Sequence, residues 1–129
     1  MFDTKIKVLI VDDMTTMRKL TKKSLMNMGF SVFVEASDGQ DAWGKLNENV
    51  DTGLVISDWN MPKCTGLELL KRVRSDSRFK KLPFVLLTAE GEQSQVAQAI
   101  SVGVDNYILK PFTHDNFVEK LEQTYKKVA

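Results

Sequence analysis

Asp12, Asp13, Asp58, Thr88 and Lys110 each fall where a short apolar run gives out. The runs are Val8–Val11, Leu54–Ile56, Phe84–Leu87 and Tyr107–Leu109. If those ends meet, three carboxylates, a hydroxyl and an amine share one rim. Carboxylates packed together repel, which favours protonation of at least one. A divalent cation relieves the repulsion and keeps them ionised. An all-oxygen ligand set with room for water suits Mg²⁺, with Mn²⁺ able to take its place. Asp13 and Asp58 are the expected direct ligands, and Asn60, two residues past Asp58, is placed to add its backbone carbonyl. Asp12 is expected to act through a water. A carboxylate beside such a cation can attack phosphorus and form an aspartyl phosphate. The cation and the Lys110 ammonium would then neutralise the equatorial oxygens, with the Thr88 hydroxyl donating to another of them.

The elements that must position these groups follow from the hydrophobic pattern. The four runs, with a fifth at Val32–Val34, are short, mostly β-branched or aromatic, and bounded by polar residues or glycine. Helix-period stretches lie between them. The first carries Met17, Leu20, Leu25 and Met28 on one face, with Thr21 and Ser24 as small fillers, and stops at Gly29. The second opens at Asp38, an expected N-cap, and carries Ala42, Trp43 and Leu46. The third carries Leu67, Leu70 and Val73, and the fourth Val96, Ala99 and Ile100 before Gly103. The last carries Phe117, Val118, Leu121, Tyr125 and Val128. Strand then helix, five times over, predicts an α/β protein with a parallel sheet covered on both faces. Sites in such sheets form beyond the carboxyl ends of the strands. The end of the second strand, Glu35-Ala36-Ser37, carries no distinctive chemistry.

Bulk properties narrow the function classes. At 129 residues and 43% hydrophobic content, one soluble domain with a full core is expected. The net charge of +1 and the lack of a strongly basic segment imply no nucleic-acid partner. Arg78, Lys80 and Lys81 read as a solvated loop. Cys64 is the single cysteine, so an internal disulfide is impossible, and it is expected to be an inert loop thiol. No apolar run approaches a membrane span and no secretory leader is legible, so a cytoplasmic location is expected. His114 reads as a solvated turn residue, Trp59 as an exposed loop aromatic beside the site, and the six methionines mostly as core.

The stretches VDD (11–13), ISDWNMP (56–62), LTAE (87–90) and YILKPF (107–112) occur in order, each at an expected strand end. Together they resemble the response-regulator receiver family, and within it the single-domain chemotaxis regulators. The resemblance runs from Lys5 to about Val128. It implies a flavodoxin-like (βα)5 three-layer sandwich with a five-stranded parallel sheet in the order 2-1-3-4-5, an order that comes with the family and not from the spacing. It implies one receiver domain over residues 1–129 without an output domain, and a monomer. Asp58 would be the phosphoacceptor, with Asp12, Asp13, Asp58 and Asn60 around the metal. Thr88 and Lys110 would sense the phosphoryl group, and Tyr107 would be the aromatic whose rotamer follows Thr88. The Lys110–Pro111 peptide would be cis. The donor would be a phosphohistidine on a CheA-like sensor histidine kinase. The target would be a partner such as a flagellar motor switch protein, bound through the fourth helix, fifth strand and fifth helix, and an accessory phosphatase could act on the phosphorylated form. The family's chemotaxis regulators carry lysines after TAE, whereas Gly91-Glu92-Gln93 here is neutral or acidic, which bears on the output partner.

Plainer readings compete residue by residue. Asp12 and Asp13 alone fit helix capping equally well. Thr88 alone is a common strand-end hydroxyl, Lys110 alone a surface lysine, and Tyr107 alone ordinary sheet packing. An alternative function is a Mg²⁺-dependent phosphohydrolase with an aspartyl nucleophile. Such enzymes keep a second acid two residues after the first, and Asn60 stands there. A flavodoxin-like cofactor binder would need a phosphate-cradling loop after the first strand, where two acids would repel the phosphate.

Overall fold

The computed structural model describes residues 1–89 and 93–128, Gln93 by its backbone alone. Strands β1 (Lys7–Val11), β2 (Val32–Ala36), β3 (Thr52–Asp58), β4 (Phe84–Ala89) and β5 (Asn106–Lys110) alternate with five helices. These are α1 (Thr15–Asn27), α2 (Gly39–Glu48), α3 (Gly66–Ser75), α4 (Gln93–Val102) and α5 (His114–Val128). All strand pairs are parallel, in the order β2-β1-β3-β4-β5. This is the flavodoxin-like sandwich expected from the resemblance.

Side chains alternate across a strand, so each strand feeds two cores. Leu9, Val11, Val55, Phe84 and Leu86 pack with residues of α2, α3 and α4, among them Leu46, Leu70 and Ala99. Val8, Ile10, Leu54, Ile56, Val85, Leu87 and Ile108 pack with Leu25 of α1 and Phe117 and Leu121 of α5. That division covers both faces and explains why the central strands read as unbroken apolar runs.

The helix faces are shifted from the expected ones at two places. Leu20 is 49% exposed and Ile100 61% exposed. In α1 the buried stripe is Thr21, Ser24 and Leu25, which leaves Leu20 about 100° round the helix on the flank. In α4 Ala99 faces inward and its neighbour Ile100 is turned out by the same step. The methionines are mostly not core: Met1, Met14 and Met26 are exposed, Met17 and Met28 are half-buried, Met28 packing against the α1–α5 core, and Met61 alone is a buried core residue. Asp38 caps α2 as expected, its side chain accepting from the Asp41 N–H at 2.7 Å.

At the amino edge of the sheet, Arg74 of α3 ties three segments together. Its Nε donates to Gly103 O (2.8 Å), Nη1 to Leu82 O (2.7 Å) and Nη2 to Asp105 Oδ2 (2.9 Å). Asp105 Oδ2 in turn accepts the Phe84 N–H at 2.8 Å, at the first residue of β4. Arg74→Met keeps the apolar stem and deletes all three bonds, leaving Asp105 without its counter-charge. It is expected to lower the unfolding free energy by about 2–3 kcal/mol, read as a lower urea midpoint at unchanged slope. A loss below about 0.5 kcal/mol would show that the clamp contributes little.

Candidate functional site

The strand register assembles the site. Val11 of β1 pairs with Ser57 of β3, so the next residues, Asp12 and Asp58, emerge side by side. Asp58 pairs with Leu87 of β4, and Lys110 of β5 pairs with Ala89, two residues further on. Asp12, Asp58 and Lys110 continue the alternation of Ile10, Ile56 and Ile108, the face covered by α1 and α5. The lysine stem reaches back over the two residues of offset. Its Nζ lies 2.8 Å from Asp58 Oδ1 and 3.4 Å from Asp12 Oδ2.

Asp58 Oδ1 also accepts the Trp59 N–H at 2.8 Å, whereas Oδ2 has no protein donor among the described residues. One carboxylate oxygen of each of Asp12, Asp13 and Asp58 lies within 4.8 Å of the others. Asp12 and Asp58 are buried and Asp13 is exposed. Three hard oxygen donors at this spacing, with one acid open to water, suit a small divalent cation. Burial pushes the Asp12 carboxyl above its usual range, against the Met14 N–H that favours its charge. Asp58 raises it further, and the nearby Lys110 ammonium opposes that.

Neither acid of the pair caps α1. Its N-cap is Met14, whose side chain makes no capping bond, and Asp12 Oδ1 instead accepts the Met14 N–H at 2.9 Å before the helix begins.

The chain around Asp58 is tightly packed. A Cβ on Gly66 would collide with the Asp58 carbonyl oxygen, so only glycine lets α3 start there. The Gly66 N–H donates to Trp59 O at 2.9 Å, and Thr65 and Glu68 form a capping box on α3. Lys63 has φ of 67°, a left-handed conformation unfavourable for a residue with a Cβ. Asn60 is exposed in this loop. Trp59, expected to be exposed, is buried at 6%, because the loop folds back over the core shared with α2 and α3. Cys64 is buried and its thiol is pushed up by desolvation, which fits an inert group.

Thr88 and Tyr107 belong to the other face. Thr88 follows Leu86 by two residues, and Leu86 pairs with Tyr107, so the two are diagonal neighbours on the side covered by α3 and α4. Thr88 is fully buried, and its hydroxyl makes a long, 3.4 Å contact with Gln95 Oε1 of α4. The half-buried Tyr107 ring carries the Lys120 ammonium of α5 4.8 Å from its centroid. The Lys110–Pro111 peptide is cis, as expected. His114 is exposed at the start of α5. Glu90, Gly91 and Glu92 and the Gln93 side chain lie outside the described residues, and with them the end of LTAE and the departure from the basic pattern.

Two contacts had no signal in the sequence. Gln95 reaches Thr88 from α4. Arg18 of α1 donates to the Asp12 carbonyl oxygen at 2.7 Å, and nothing in the basic run of α1 singles it out.

The raised Asp12 carboxyl has a measurable consequence. Between the unfolded value and the raised folded one, the folded state holds more protons, so stability falls as pH rises through that window and stays lower above it. Asp12→Asn removes that cost. Without divalent cations at neutral pH the variant should melt at a higher temperature than the parent. The advantage should shrink as pH falls toward the unfolded carboxylate value of about 3.9. An advantage undiminished at that pH would contradict the charge-burial account.

The sequence matches the response regulator receiver domain over residues 8–122. It is 50% identical over 117 residues to the chemotaxis protein CheY1 of Helicobacter pylori, covering 91% of this chain and 94% of that protein. It is 43% identical over 124 residues to the chemotaxis protein CheY of Pseudomonas aeruginosa, covering 95% and 98%. Among solved structures, the chemotaxis response regulator CheY4 of Vibrio cholerae matches with a TM-score of 0.84 at 32% identity, over 93% of this chain and 98% of that one. With strand-end acids on a five-stranded parallel sheet and a family match across most of its length, the chain belongs to the response regulator receiver family of two-component signalling, among relatives that are CheY chemotaxis proteins.

Proposed function

We propose that the chain is a phosphorylation-gated switch in which Asp58 takes a phosphoryl group from the phosphohistidine of a CheA-like sensor kinase. The observation that carries this is the asymmetry of Asp58: Oδ1 is fixed by Lys110 Nζ and the Trp59 N–H, and Oδ2 has no protein donor among the described residues. Such a carboxylate is held with one lone-pair-bearing oxygen ready for in-line attack. Oδ2 bonds to phosphorus as the P–N bond to the donor imidazole breaks, and that imidazole leaves with the electron pair. Lys110 balances the Asp58 charge before transfer and is within reach of a phosphoryl oxygen afterwards. Asp12, Asp13, Asp58 and the Asn60 carbonyl would hold Mg²⁺ (or Mn²⁺), which supplies charge neutralisation at the equatorial oxygens. The Thr88 hydroxyl, held among the described residues by one long contact to Gln95, is cheap to turn toward the phosphoryl group. Its departure frees space on the face it shares with Tyr107.

The readout surface in this reading is α4, β5 and α5, where Ile100 and Leu109 are exposed and Tyr107 is half-buried. A flagellar motor switch protein is the proposed target, by analogy with the chemotaxis relatives. A single domain over residues 1–129, acting as a monomer in the cytoplasm, completes the reading; no described helix is long and apolar enough to cross a membrane. The role is not turnover of a free substrate, since Asn60 stands where an aspartyl phosphohydrolase keeps its second acid.

The test is incubation with a small acyl phosphate and Mg²⁺, followed by intact mass. One added phosphoryl group is expected, stable in acid and labile in base, and absent both in Asp58→Asn and without Mg²⁺. Equal incorporation in Asp58→Asn would refute the assignment, and steady hydrolysis of many phosphomonoesters would favour the phosphohydrolase.

A further inference from the structure

We infer that Arg18, braced by Glu35, is a positioning residue that sets the geometry of the acidic loop and through it the cation affinity. The inference rests on the metal site proposed above. Asp13 is exposed, and its side chain has no hydrogen-bond partner among the described residues, so its placement depends on the backbone that leads into it. Both backbone polar groups of Asp12 are held. The N–H donates to Ala36 O at the end of β2 (3.1 Å), and the carbonyl accepts from Arg18 Nη1 (2.7 Å). That carbonyl lies in the planar peptide unit joining Asp12 to Asp13. Fixing it fixes where the Asp13 chain starts and which way the Asp12 carboxylate leaves.

The guanidinium is itself oriented from two sides. Its Nε faces Glu35 Oε1 and its Nη2 faces Thr15 Oγ1, each at 3.4 Å. The other Glu35 oxygen, Oε2, accepts from Lys22 Nζ at 3.4 Å. The end of β2, which carries no distinctive chemistry in sequence, thus acts as a buttress: Ala36 holds one side of the Asp12 backbone, and Glu35 steadies the arginine that holds the other.

Charge and geometry act in opposite directions here, which makes the inference testable. A guanidinium on the Asp12 carbonyl adds positive charge near the acidic loop and opposes cation binding by Coulomb's law, so deleting it should tighten Mg²⁺. If positioning dominates, deleting it should weaken Mg²⁺. The measurement is isothermal titration calorimetry of Mg²⁺ on the parent, Arg18→Lys and Arg18→Met, with melting temperatures recorded alongside. Lysine keeps the charge and loses the fork. Both variants are expected to bind Mg²⁺ roughly ten-fold more weakly while remaining folded. A purely structural arginine would lower Tm and leave the affinity unchanged. Unchanged or tighter binding in Arg18→Lys overturns the inference, and that variant decides the matter if Arg18→Met does not fold. Failure of the parent to bind Mg²⁺ would instead overturn the underlying metal site, and this inference with it.

Discussion

Asp12 and Asp58 stand side by side at the carboxyl edge of the sheet, both buried, with the Lys110 ammonium against them at 3.4 and 2.8 Å. Burial disfavours the charge on Asp12, and the neighbouring Asp58 disfavours it further. The parallel register creates the conflict by placing the residue after Val11 beside the residue after Ser57. It also supplies the remedy, because Lys110 emerges two residues further along the same face and folds back. The exposed Asp13 adds a third negative charge that one ammonium does not balance. The surplus is what makes the rim suited to a small divalent cation.

The alternation of the sheet divides labour between its faces. The charged groups continue the face packed by α1 and α5, while Thr88 and Tyr107 continue the face packed by α3 and α4. In the proposed reading, a phosphoryl group on Asp58 would be touched from both sides, by Lys110 from one and Thr88 from the other. Chemistry on one side of a thin sheet is thereby adjacent to packing on the other, the arrangement a switch requires. The rigid parts are those that hold Asp58: the Gly66 contact, the capping box of α3 and the buried Trp59.

Much of this was legible in the sequence for specific reasons. Continuous apolar runs fixed the strand positions, and Asp12, Asp13, Asp58, Thr88 and Lys110 are found at the ends they were expected to occupy. Asp38 was readable as a cap because its signal is local. What failed depended on the phase of a helix or on tertiary contacts. Leu20 and Ile100 lie one residue from the true buried stripe, an error that apolar character alone cannot correct. Trp59 is buried because its loop doubles back, which no neighbour in sequence announces. Arg18 looks like the other basic residues of α1 until the fold sets it over the Asp12 carbonyl.

On the proposed reading, Lys110 and a divalent cation compensate the same negative charge. Urea unfolding of the parent and of Lys110→Met, each with and without saturating Mg²⁺, tests it directly. A cation that binds only the folded state stabilises it by an amount that grows with the logarithm of its concentration relative to its dissociation constant. Lys110→Met is expected to be the less stable protein without Mg²⁺ and to gain more from Mg²⁺ than the parent does. A variant as stable as the parent without the cation, and gaining no more from it, would show that Lys110 and the cation do not share that charge.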